Sequence, residues 1–160
     1  MNKNLPLKVV LSRIGEATPE EGRAASIALD TPNAIFDFWK SVICAKPDFE
    51  PEKENLVAIL LDTKLRPTAY HLVALGSLCE CTAHPREIFR PVIVGNSFAF
   101  VLAHNHPSGS PDPSEADRRL TSTLRDAAAL LQISLLDHVV IGKAAPDRPP
   151  FFSFRDAGLL

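Results

Sequence analysis

The sequence predicts an α/β chain, with α+β character, in which a mixed β-sheet carries helices packed against it. Three observations predict this. Residues 56–61 form a continuous apolar run of strand length, as in a strand buried on both faces. Segments with helical spacing recur between strand-like runs. Turn residues such as Asp62-Thr63-Lys64 join neighbouring strands as hairpins, so the sheet is mixed.

Each element follows in order. Residues 5–14 alternate loosely and read as a strand. Residues 15–30, with Gly15, Pro19 and Gly22 among acidic side chains, read as a connecting segment. Thr31-Pro32 supplies a cap and a first-turn proline for a first helix. Ile35, Phe38, Trp39, Val42 and Ile43 form its inner face, and Pro47 and Pro51 close it. Residues 67–75 pair with 56–61 as a hairpin. His84-Pro85-Arg86-Glu87 opens a second helix, with Ile88, Phe89, Val92 and Ile93 inward, a kink at Pro91, and Gly95-Asn96 at its end. Residues 97–103 are a strand leading into His104-Asn105-His106. The three prolines and one glycine of 107–113 make a stiff loop. Ser114 caps a third helix whose inner stripe is Leu120, Leu124, Ala127, Ala128 and Leu131. Residues 135–141 are a strand ended by Gly142, and 151–154 a last short strand.

At 160 residues the chain is expected to be one domain with a real core. Residues 1–53 are expected to pack on the same unit as 54–160. Hydrophobic residues at 46% and charged residues at 22% exclude a disordered or fibrous chain. No apolar run reaches membrane-spanning length, and Lys8 and Arg13 interrupt any signal-peptide core. A net charge of −2 gives nucleic-acid binding no support. Three cysteines, Cys44, Cys79 and Cys81, without an export signal point to reduced thiols in the cytoplasm. Cys79-Glu80-Cys81 lacks the second half of a metal site, so the cysteines read as small buried or half-buried residues.

The chemistry concentrates in His104-x-His106, followed after ten residues by Asp117. Residues i and i+2 of an extended strand end point to one side, so both imidazoles can meet one cation. Asp117 falls in the first helical turn after Ser114, from where its carboxylate can reach the strand end. Two histidines and a carboxylate leave one tetrahedral position open, as in catalytic zinc sites. Such a site lowers the pKa of water from 15.7 to about 7 and needs a carboxylate to shuttle the proton. No His-Glu-x-x-His is present. Glu54, at the entrance of the buried strand, is the candidate shuttle, with Glu50 and Glu52 as rivals.

These residues resemble the JAMM motif of the MPN (JAB) metalloproteases, and are most similar to its RadC-like branch. The resemblance rests on Leu61-Asp62-Thr63-Lys64, His84-Pro85-Arg86-Glu87, Ala103-His104-Asn105-His106-Pro107-Ser108-Gly109 and Leu136-Asp137-His138-Val139-Val140-Ile141-Gly142. Phe152-Ser153-Phe154 through Gly158-Leu159 adds to it, and it covers about residues 54–160. It implies one zinc ion per chain held by His104, His106 and Asp117. It implies that Ser114 helps stabilise an oxyanion, and that a glutamate preceding the site is the general base, which Glu54 matches. It implies the MPN fold, a curved mixed sheet flanked by helices and related to the cytidine-deaminase-like architecture. Better-studied relatives hydrolyse isopeptide bonds at ubiquitin-like tails, a substrate not carried over to this chain. Two departures stand out. The first 53 residues lack the helix-hairpin-helix signal common in the RadC-like branch, which leaves a DNA-repair role little supported. Gln132 stands at a helix end where the family usually has glycine.

Rival readings are narrower. The letters His-Asn-His are not an HNH nuclease, whose residues spread over a ββα finger. A zinc deaminase needs His-x-Glu and Pro-Cys-x-x-Cys, both absent. His138 reads either as a support behind the site or as a packed strand residue, with packing preferred. His84 reads as a local cap or loop residue, His71 as a surface strand residue, and the Phe151, Phe152 and Phe154 cluster as core closure. The sequence therefore points to a cytoplasmic zinc hydrolase acting on a peptide or protein in extended conformation. The alternative is a non-catalytic MPN binding module, a scaffold for a partner chain or a DNA-repair complex.

Overall fold

Residues 56–61 lie at the centre of the sheet, inside β2 (Glu54–Leu61), where every residue after Glu54 is buried. The structure, a computed structural model, describes residues 9–14, 19–76 and 83–160. The other strands are β1 (Ser12–Arg13), β3 (Pro67–Gly76), β4 (Ala99–Asn105), β5 (Ser134–Ile141) and β6 (Phe151–Ser153). They form one six-stranded sheet in the order β1-β3-β2-β4-β5-β6. Among the described residues only β4 and β5 pair in parallel, joined by the crossover helix α4 (Glu115–Leu131). The fold is thus α/β, with a mixed sheet flanked by helices.

Strand alternation divides the core into two layers. Val57, Ile59 and Leu61, with Ala99, Val101, Ala103, Val139 and Ile141, face α1 (Pro19–Ser26) and α2 (Pro32–Phe38). Leu56, Ala58 and Leu60, with Phe100 and Leu102, face α3 (Pro85–Val94) and α4. The predicted α2 face is buried throughout, and Thr31 Oγ1 accepts the Ala34 amide at 3.2 Å. Beyond Phe38 the helix widens into a π-turn over Trp39–Ile43, which helical spacing alone does not reveal.

Several expectations need correction. Within the predicted connecting segment lies α1, with Pro19 at its start, Glu20 and Glu21 in its first turn and Ala24 buried. Those acidic residues favour a helix N-terminus, a signal that Gly22 obscured. Of the N-terminal strand, Ser12–Arg13 is assigned; residues 5–8 lie outside the described residues. Helix α3 continues through Pro91, but Ile93 is exposed, as is Leu131 at the end of α4. Both lie in the last turn of their helix. Cys44 is exposed, while Cys79 and Cys81 lie outside the described residues. Among the described residues no helix is long and apolar enough to cross a membrane.

Candidate metal centre

Strand register assembles the site. Leu56 pairs with His104 across β2 and β4. Glu54 lies two residues before Leu56, and His106 two residues after His104. Side chains two apart share a face, so all three reach one end of the layer beneath α4. His104 is fully buried and Glu54 half-buried. The main chain holds His106 in place, its N–H donating to the Ile141 carbonyl at 2.9 Å.

The proline-rich loop then reverses direction. Gly109 adopts φ +83, and a Cβ on Gly142 would stand 2.6 Å from the Gly109 carbonyl oxygen. Only glycine permits that approach. The chain next enters α4 through a capping box. Ser114 Oγ accepts the Asp117 amide at 3.1 Å, and Asp117 Oδ2 accepts the Ser114 amide at 2.8 Å. The Ser114 hydroxyl also donates to Asp117 Oδ2 at 2.6 Å. This fixes the carboxylate toward the histidines.

Three ligand-type atoms converge there. His104 Nε2 is 3.0 Å from His106 Nε2 and 3.3 Å from Asp117 Oδ1. His106 Nε2 is 3.6 Å from Asp117 Oδ2. Donor atoms around a tetrahedral zinc stand roughly 3.3 Å apart, so nitrogen, nitrogen and oxygen fit that ion in chemistry and span. His106 Nδ1 lies 2.9 Å from the Ser110 carbonyl, which can only accept. The neutral ring therefore carries its proton on Nδ1 and presents a lone pair at Nε2. Glu54 Oε1 stands 4.0 Å from His104 Nε2, outside the triad but against it. The rivals Glu50 and Glu52 are exposed, and Glu50 pairs with Lys53 at 2.7 Å.

Electrostatics separate the groups. Burial pushes His104 down to about 4, against the opposing pull of Asp117. His106 is raised, because the Asp117 carboxylate beside it outweighs burial. Burial alone would raise Asp117, but His106, His104 and Ser114 together hold it well below the usual carboxylate range. Glu54 is raised by burial and by the Asp117 charge, with His106 opposing. The two carboxylates are thus driven apart, Asp117 toward its ionised form and Glu54 toward greater basicity.

Three residues, Thr121, Asn55 and Asn105, escaped sequence reasoning. His138, for which the sequence favours packing over support of the site, is fully buried with Nε2 3.0 Å from His104 Nδ1 and Nδ1 2.6 Å from Thr121 Oγ1. It also stacks on Phe154, with centroids 4.8 Å apart and planes 7° apart. Burial, then His104, holds it well below the usual imidazole range. A bulge explains that placement. Phe100 pairs with Leu135, but Val101 pairs with Asp137, so Leu136 is extra. That shift turns His138 onto the face of Leu102 and His104. Thr121 sits one helical turn beyond Asp117. Asn55 and Asn105 tie the ends of β2 and β4 together. Of the remaining histidines, His84 precedes α3 without a side-chain capping bond, and His71 Nδ1 lies 2.7 Å from the Val10 carbonyl.

Comparison with known proteins agrees with this architecture. A UPF0758 protein of Burkholderia mallei (strain SAVP1) is 40% identical over 152 residues, covering 95% of this chain and 51% of its own length. A UPF0758 protein of Pelodictyon phaeoclathratiforme is 44% identical over 108 residues, 68% of this chain and 46% of its own. One from Chlorobaculum parvum is 43% identical over 126 residues, 79% and 52% respectively. The chain thus spans about half the length of these relatives. The family described as RadC-like JAB domain matches residues 29–159, starting ahead of residue 54, where the motif resemblance begins. Since that match takes in α2, α3, α4 and the whole His-His-Asp cluster, the chain belongs to the RadC-like JAB domain family.

Proposed function

We propose that this domain is a zinc-dependent hydrolase of peptide or isopeptide bonds, of the JAMM type. The observation that supports it most is the convergence of His104 Nε2, His106 Nε2 and Asp117 Oδ1 and Oδ2 at 3.0–3.6 Å, with Glu54 beside them. Zinc held by that triad would supply Lewis acidity for activating water and polarising a carbonyl. Glu54 takes a proton from the attacking water as the new C–O bond forms. It returns that proton to the amine as the C–N bond breaks. Its raised pKa suits both transfers. Ser114 holds Asp117 and, by turning its hydroxyl from Oδ2, supports the negative oxygen of the attacked carbonyl. The substrate is a peptide or protein segment in extended conformation, matched to a site at the shared end of adjacent strands. The related cytidine-deaminase-like architecture and a cytoplasmic setting belong to the same reading.

Hydrolysis of an internally quenched peptide and isopeptide library by zinc-loaded protein tests it. The wild type is expected to cleave, and Glu54→Gln to keep zinc while losing at least a hundredfold in rate. Retained turnover in Glu54→Gln removes Glu54 from the mechanism. Zinc binding with no cleavage across the library favours a binding module.

A further inference from the structure

We propose that Thr121 and His138 are positioning residues that fix the tautomer of His104, so that its Nε2 presents a lone pair beside His106 and Asp117. The inference rests on the zinc reading for its purpose but not for its geometry.

The argument counts protons. Thr121 Oγ1 lies 2.6 Å from the Asp117 carbonyl oxygen and 2.6 Å from His138 Nδ1. Both contacts are too short to lack a proton. The hydroxyl has one proton and the carbonyl has none. The hydroxyl must therefore donate to the Asp117 carbonyl, the usual back-bond of a helical threonine. Its oxygen then accepts a proton from His138, which must be Nδ1–H. Full burial disfavours a charged ring, so His138 Nε2 carries a lone pair. That lone pair is 3.0 Å from His104 Nδ1, which must donate to it. Neutral His104 therefore has no proton on Nε2.

The direction of every bond is thus set by a main-chain carbonyl at one end. The Ser110 carbonyl sets His106 in the same way. In its neutral form each imidazole thus has a bare Nε2, and reversal of the Thr121 hydroxyl would put a proton where a cation belongs. A hydrogen bond behind a ligand also raises its basicity, and loss of such a partner typically weakens metal binding 10–100-fold.

The test joins two readouts. Nitrogen-15 NMR of metal-free, histidine-labelled protein reports the tautomers directly. His104 and His138 are expected as Nδ1–H forms. Zinc affinity, measured by chelator competition, is expected to fall about 10–100-fold in Thr121→Val and to stay near wild type in Thr121→Ser. His138→Gln, whose amide can both accept and donate, provides a second route if the valine variant does not fold. It is expected to retain more affinity than His138→Leu. An Nε2–H tautomer of His104 in the wild type overturns the proposal, as does unchanged zinc affinity in Thr121→Val. Absence of zinc binding by the wild type would instead remove the zinc reading, and the NMR would still decide the relay.

Discussion

Asn105 Oδ1 accepts the main-chain N–H of Asn55 at 2.9 Å and the Asn55 side-chain amide at 3.0 Å. The Asn105 amide in turn donates to the Lys53 carbonyl at 2.9 Å. Asn55 follows Glu54, and Asn105 lies between His104 and His106. One carboxamide therefore locks the strand end carrying the proposed base to the strand end carrying the two histidines.

Replacing it separates positioning from binding. Asn105→Ala leaves the buried main-chain N–H of Asn55 unpaired, while the Asn55 side-chain amide keeps the Glu50 and Lys53 carbonyls, and should lower stability by about 1–3 kcal/mol. Zinc affinity should change little, because both histidines keep their other anchors, whereas turnover should fall at least tenfold as Glu54 loosens. Chemical denaturation with a zinc titration checks this. A variant that loses zinc before it loses stability would contradict it.

Asp137 should be structural, although it adjoins His138. It is fully buried, accepting the Ser153 hydroxyl at 2.6 Å and the Arg155 amide at 3.1 Å. These bonds hold the turn that brings Phe154 beneath the His138 ring. Asp137→Ala strands two donors and should cost about 2–4 kcal/mol. Asp137→Asn keeps an acceptor for Arg155 and can donate to Ser153, so most of that stability should survive. Equal losses in both variants would show that charge, not hydrogen bonding, matters there.

Much of this site was readable because its first links are local. The Ser114–Asp117 cap and the His-x-His pair lie within a few residues of one another, and strand alternation fixes their side. The β2 core and the α2 face were readable for the same reason. The roles of Thr121, Asn55 and Asn105 were not, and that of His138 stayed open, since the partners that give them those roles lie far along the chain and a bulge at Leu136 inverts the alternation. Helix α1 was hidden by a glycine within it, and the π-turn after Phe38 leaves the apolar spacing unchanged.

Gln132 ends α4 in the left-handed region, at φ 56 and ψ 35. A side chain there costs about 1 kcal/mol relative to glycine. Gln132→Gly should therefore raise stability by about 0.5–1 kcal/mol without touching the site. A melting curve reads this, and a lower midpoint would show that the glutamine side chain contributes something its backbone strain does not suggest.

The β2–β3 turn should give an acid-sensitive contribution to stability. Asp62 Oδ1 accepts the Lys64 and Arg66 amides at 2.8 and 2.9 Å, and Oδ2 meets the Arg66 guanidinium at 2.7 Å. Desolvation opposes ionisation, but these Arg66 and Lys64 bonds outweigh it and hold Asp62 below its ordinary value. A depressed carboxylate stabilises the fold above its unfolded pKa, and that contribution disappears as pH falls through the folded value. The difference in stability between wild type and Asp62→Asn should thus be full at neutral pH and shrink below about pH 4. A gap independent of pH would contradict the assignment.

The most direct test of the proposed metal centre is the zinc content of protein purified without added metal or a histidine tag, beside the His104→Ala/His106→Ala variant. About one zinc per chain in the wild type, absent from the variant, is the predicted result. Equal zinc in both proteins, or none in the wild type together with unchanged stability in the variant, would contradict it.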